Sequence, residues 1–160
     1  MNFGQIKKTY KQNPNVGIIP YQIKLVKTGI LQVKATAGKH EIKIDEPKGI
    51  GGTDEYANPI QIFLASLGSC ILNSITLNSK FLNIKFNSIK ITVGGQLDYR
   101  GILGLDENSP KGFKEINIKI KIDSDESAKN VKKLIDFATA TCPIHSTIVN
   151  PTKIITKIIS

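Results

Sequence analysis

Cys70 and Cys142 are the residues of this 160-residue chain best suited to chemistry. Cys70 sits inside the run Asn58-Pro-Ile-Gln-Ile-Phe-Leu-Ala-Ser-Leu-Gly-Ser-Cys-Ile-Leu-Asn-Ser-Ile75, and Cys142 precedes Pro143-Ile-His-Ser-Thr147. A thiolate is a nucleophile and the protonated thiol is not, so the charge around each sulfur decides what it can do. Cys70 lies about three turns into a predicted helix, beyond the first turn over which the helix dipole acts. It needs a cation to become a nucleophile, and Arg100, His145 and lysines of the first strands are the candidates. Cys142 is expected near the C-terminus of a second helix, where the dipole favours the protonated thiol and suits a resolving cysteine.

Three chemistries stay open from the residues alone. In the first, a Cys70 thiolate attacks a peroxide oxygen and becomes a sulfenic acid while an alcohol leaves. Cys142 then closes a disulfide that an outside dithiol reopens. In the second, both cysteines are inert core residues. In the third they bind a metal with His145, though that gives at most three ligands and no standard zinc spacing.

The elements that must position the thiols follow from periodicity. Ile60, Phe63, Leu64, Leu67, Ile71, Leu72 and Ile75 recur at the spacing of one helical face, which predicts a buried central helix from Asn58 to about Lys80. Asn58 fits the N-cap, Pro59 the first helical position and Gln61 the capping-box partner. Gly68 inside that helix costs up to ~1 kcal/mol against alanine, so it implies another backbone packing close by, from the same chain or a partner, and with Ser69 it leaves room at the Cys70 sulfur. Phe63 and Leu67 would line a pocket around Cys70 and give it an apolar, organic preference.

Ahead of the helix, residues 21–27, 30–35 and 41–45 read as three short strands of an antiparallel meander. The glycine-rich 46–57 loop matches neither a phosphate-binding nor a dinucleotide pattern and reads as a flexible rim. Beyond the helix come a strand over 87–97 with a glycine-marked bend, a polar connection over 98–112 and a strand over 113–122. A helix then runs from Ser127 towards Cys142, Pro143 breaks it, and a last edge strand over 148–159 is interrupted by Pro151. Residues 1–20 read as an extended N-terminal arm. The whole, 1–160, is expected to be a single α+β domain.

Composition narrows the function classes. The start of the chain lacks an apolar signal core and no run approaches membrane-spanning length, so a cytoplasmic protein without membrane association is expected. That compartment keeps thiols reduced, which argues against a structural disulfide. The net charge of +9 invites a nucleic-acid reading. Its pattern speaks against one: lysines alternate with isoleucines in Lys114-Glu-Ile-Asn-Ile-Lys-Ile-Lys-Ile122, as on the wet face of a half-buried sheet, and Arg100 is the one arginine. No nucleic-acid partner is expected.

Gly51-Gly-Thr-Asp, Asn58-Pro and Leu64-Ala-Ser-Leu-Gly-Ser-Cys70, followed by the late Cys142-Pro-Ile-His-Ser-Thr147, resemble the OsmC/Ohr family of osmotically inducible and organic hydroperoxide resistance proteins. The resemblance covers roughly residues 21–158. It implies the OsmC-like fold, with antiparallel sheets around a long buried central helix, and an intertwined homodimer with active sites at the subunit interface. It also implies reduction of organic hydroperoxides without a cofactor or metal, at the expense of an external dithiol, with Cys70 matching the peroxidatic and Cys142 the resolving cysteine. Ile60 stands where well-studied members carry a glutamate, and the N-terminal strands offer lysines such as Lys24 and Lys27 where those members draw an arginine. Arg100, in Leu97-Asp-Tyr-Arg-Gly-Ile-Leu-Gly104, resembles a segment of another branch and is expected to approach Cys70 and lower its pKa.

Overall fold

The structure, a computed structural model, describes residues 3–150 and 152–159. The chain divides into two compact units, one up to Pro59 and one from Ile60 onward.

The first unit opens on helix α1 (Phe3–Gln12) and a 3₁₀ turn at Pro14–Gly17. The expected extended arm is therefore helical over most of its first half. Ile6 and Tyr10 lie one turn apart, and the Tyr10 ring packs against the bare face of Gly17, contacts that periodicity over so short a polar stretch does not announce. Strands β1 (Lys24–Lys27), β2 (Val33–Ala37) and β3 (His40–Ile44) form the antiparallel meander in that order. Leu25 pairs with Ala35 and Ala35 with Ile42, which puts buried Ala35 at the centre.

The loop after β3 is clamped rather than loose. Buried Asp45 accepts the amides of Glu46 (2.8 Å) and Glu55 (3.1 Å) and the Thr53 hydroxyl (2.5 Å). Those donors hold its carboxyl well below the usual carboxylate range. Gly52 passes so close to the Glu46 carbonyl that no side chain fits there.

The second unit is built on α2 (Pro59–Leu82), β4 (Ser88–Gly95), the short α3 (Tyr99–Ile102), β5 (Ile116–Asp123), α4 (Ala128–Ala140) and α5 (Pro143–Val149). β4 and β5 pair antiparallel from Ser88 opposite Asp123 to Gly95 opposite Ile116. Strict alternation sends Ile89, Ile91 and Val93, with Ile118 and Ile120, to one face and leaves Lys90, Lys119 and Lys121 exposed on the other. The lysines are a solvated sheet face. Against the apolar face pack Leu67, Ile71 and Ile75 of α2 and Leu134 and Ala138 of α4, and Cys142 closes the same core.

The glycine in α2 has a different neighbour from the one expected. A Cβ on Gly68 would stand 2.9 Å from Cγ2 of Val93, so the space is taken by a β4 side chain rather than a backbone. α2 is also long and apolar enough to cross a membrane by length and composition, contrary to the sequence expectation. Its buried stripe is the core of the second unit, which gives that apolarity another purpose.

The expected final strand does not form among the described residues. Pro143 opens α5, which takes Ile148 and Val149, and residues 152–159 have no regular structure; Pro151 lies outside the described residues. Without a ladder partner among the described residues, Ile154 and Ile158 are 88% and 96% exposed.

Candidate active site

Residues at the middle of α2 and the start of α5 bring the two cysteines together. Leu67 and Ile71, on either side of Cys70, are fixed in the core, and that orients the thiol between them on the helix surface. Cys142 follows α4 and serves as N-cap of α5, its Sγ accepting the His145 amide at 3.4 Å. Cys142 thus lies just past the C-terminus of α4, as expected, and also at the head of a further short helix that the sequence expectation did not include. Proline fits the first helical position because it lacks the N–H that would be unsatisfied there, so Pro143 starts a helix as well as ending one.

The Cys142 thiol meets the Cys70 sulfur at 2.7 Å. Both are free thiols, Cys70 half-buried and Cys142 fully buried. Closing a disulfide of ~2.05 Å needs only a small approach of the two sulfurs. Burial pushes the Cys70 thiol above its ordinary value, the bonded Cys142 adds to this, and the Ile144 amide works against it. No group of three or more His, Cys, Asp or Glu among the described residues could hold an ion, so the metal reading lacks a ligand set.

Arg100 does not join this pair. Its Nη2 and Nε donate to the Asp98 carboxylate at 2.5 and 3.0 Å, and its Nη1 lies 3.9 Å from Asp106. The groups acting on Cys70 are its own burial, Cys142 and Ile144, and Arg100 is not one of them. The expected approach of Arg100 to the thiol is corrected accordingly. A carboxylate two residues upstream, already capping α3, reaches the guanidinium first.

Two adjoining apolar clefts border the α2 stripe that leads to Cys70. One, of about 370 Å³, is lined by Ile60 and Phe63 of α2 with Leu97, Ile102 and Phe113. The other, of about 260 Å³, is lined by Leu67, Ile118 and His145 and shares Phe113, Ile116 and Ile148 with the first. The Phe63 and Phe113 rings stack with centroids 6.1 Å apart. Phe63 lines the first of these clefts and Leu67 the second. Ile60, in the place of the family glutamate, adds a hydrocarbon wall instead of a charge. Phe113 and Ile148 were not legible as lining residues. In the sequence the first marks only the start of a strand, and the second falls in an expected strand that does not form among the described residues.

Fold and thiol pair together define a class: an α+β protein whose long central helix carries one cysteine against a second that caps a later helix. Residues 52–157 match the OsmC-like protein family model, and the chain belongs to that family. A hydroperoxide reductase of Mycoplasma genitalium is 29% identical over 133 residues, which span 80% of this chain and 86% of that one. The crystal structure of an OsmC-like protein from Mycoplasma pneumoniae superposes with a TM-score of 0.73 at 25% identity, over 83% of this chain and 89% of the other. An organic hydroperoxide resistance protein from Elizabethkingia anophelis gives a TM-score of 0.58 at 26% identity, over 83% and 91%.

Proposed function

We propose that this chain reduces organic hydroperoxides, with Cys70 as peroxidatic and Cys142 as resolving cysteine. The observation that carries the reading is the 2.7 Å approach of a half-buried and a buried thiol. The Cys70 thiolate attacks the distal oxygen of ROOH, the O–O bond breaks, and RO⁻ takes a proton and leaves as the alcohol. The resulting sulfenic acid reacts with the Cys142 thiol, which forms the disulfide and releases water. An external dithiol reduces that disulfide by exchange and is itself oxidised. The clefts favour a hydroperoxide with a hydrocarbon body. The chain would work in the cytoplasm, where dithiol reductants are kept reduced. It would work as a homodimer with active sites at the subunit interface, as its family resemblance implies.

Turnover of cumene hydroperoxide with dithiothreitol as reductant tests the roles. The Cys70→Ser variant is expected to lose turnover. Cys142→Ser is expected to oxidise once and hold a sulfenic acid that dimedone labels at Cys70. Turnover surviving in Cys70→Ser would remove the peroxidatic role.

One observation favours a second reading, an OsmC-like protein that binds an apolar molecule with little or no peroxidase activity. Cys70 is pushed towards the thiol form by burial, and among the described residues the groups that shift it are Cys142 and the Ile144 amide, with no cation. Wild-type protein that binds cumyl alcohol but shows no turnover would select that reading.

A further inference from the structure

We infer that Asp98 is a positioning residue for the apolar cleft: its clasp on Arg100 and Ser109 sets the outer wall, and so the size of organic group that the site accepts. This rests on the reading of the clefts as the hydroperoxide site. The 97–113 segment supplies that wall from both its ends. Leu97 and Ile102 line the cleft from its beginning, and Gly112 and Phe113 from its end. What ties the ends together is polar.

Asp98 Oδ1 accepts the Arg100 amide and Nε, each at 3.0 Å, which caps the one-turn α3 and fixes the side chain that follows. Asp98 Oδ2 accepts Arg100 Nη2 at 2.5 Å and lies 3.2 Å from the Ser109 hydroxyl. That hydroxyl also lies 2.7 Å from Asp106 Oδ2, and Asp106 Oδ1 accepts the Asn108 amide at 3.0 Å. Gly101 completes the fit: a Cβ there would stand 2.5 Å from the carbonyl oxygens of Ser109 and Pro110, so only glycine lets α3 lie against the returning chain. A carboxylate at the start of the segment thereby holds Ser109 at its far end. Ile102, the last residue of α3, is carried onto the cleft by the same turn that Asp98 caps.

A polar clasp behind an apolar wall separates two properties that a thiol-activating arginine would couple. Loosening the clasp moves Leu97 and Ile102 and weakens the hold on a bulky organic group, while the sulfurs, packed by Ile71, Leu134 and Ala138, stay in place. The test compares Asp98→Ala, Ser109→Ala and Ile102→Ala by three measurements. These are KM and kcat for cumene and tert-butyl hydroperoxide, the Kd of cumyl alcohol by calorimetry, and the rate of Cys70 alkylation by iodoacetamide.

Asp98→Ala is expected to raise the KM for cumene hydroperoxide and the Kd of cumyl alcohol about tenfold, the scale of a lost apolar contact in a pocket. The KM for the smaller peroxide, kcat and the alkylation rate should move less than about twofold on that scale. Ser109→Ala should act in the same direction and serves where Asp98→Ala does not fold. Ile102→Ala, which leaves the clasp intact, should reproduce the loss for the bulky compounds. Unchanged KM and Kd in both clasp variants would overturn the inference, as would a fall in kcat together with the alkylation rate. Wild-type protein that fails to bind cumyl alcohol would overturn it too. A wild type without turnover whose Kd still shifts would keep the positioning role and discard the peroxidase.

Discussion

Burial and the neighbouring sulfur raise the Cys70 thiol, so only a minor fraction is thiolate at neutral pH. Below the raised pKa that fraction grows about tenfold per pH unit, and the second-order rate of Cys70 with hydroperoxide or iodoacetamide should climb accordingly from pH 6 to 8. A rate already level at pH 6 would show a thiolate stabilised by a charge that the described residues of the single chain do not supply. Asp45 behaves in the opposite sense. Its carboxyl is held below its ordinary value of 3.8 by the Thr53 hydroxyl and three amides. Its contribution to stability is therefore complete above about pH 4 and drains away as pH falls below that. Wild type should exceed Asp45→Asn in urea midpoint at pH 7, and the gap should narrow by pH 3. A gap independent of pH would mean the ionised form is not what the loop requires.

Among the elements, α2 makes the most specific demand on sequence. Gly68 leaves 2.9 Å between a would-be Cβ and Val93, whose β-branched side chain has little freedom to turn away. Gly68→Ala gains up to ~1 kcal/mol of helix propensity but meets an overpacking cost of ~1–3 kcal/mol. We expect a net loss of about 1 kcal/mol in denaturant unfolding, and Val93→Ala should relieve it in a double-mutant cycle. Additive effects would place the clash elsewhere. The register of α2, β4 and β5 was legible because each buries one face, and burial stamps a period of 3.6 or 2 on the residues. α5 was not legible. Pro143 carries the same signature for ending a helix as for opening one, and the cap that decides between them is a cysteine sulfur, which no capping pattern includes. Arg100 was legible as an unusual cation. Its partner was not, because Asp98 two residues away and a distant thiol are equally permitted by sequence, and only the turn of α3 chooses.

At the scale of the whole molecule, apolar surface is left over. Ile154, Ile155, Ile158 and Ile159 follow α5 with no ladder among the described residues, and β1 exposes both Leu25 and Val26. Exposed segments of this composition tend to pair with another chain. On the homodimer reading, sedimentation should give a mass twice that of the chain, and replacing Ile154 and Ile158 with lysine should shift it towards the monomer. A monomeric wild type would contradict that assembly. Part of the positive charge, Lys90, Lys119 and Lys121, sits on the exposed face of β4 and β5, opposite the face that packs on the core with Cys142. Periodicity made that placement legible, whereas exposure of the terminal isoleucines depends on a partner strand that one chain does not contain.

The central claim is that Cys70 and Cys142 form one redox unit. It is tested most directly by adding one equivalent of cumene hydroperoxide to the fully reduced protein, counting free thiols and mapping cross-linked peptides by mass spectrometry, with Cys70→Ser as control. The account predicts rapid loss of both thiols and a Cys70–Cys142 linked peptide that the control lacks. Two thiols that survive an excess of peroxide would contradict it and leave a fold that keeps the pair without the chemistry.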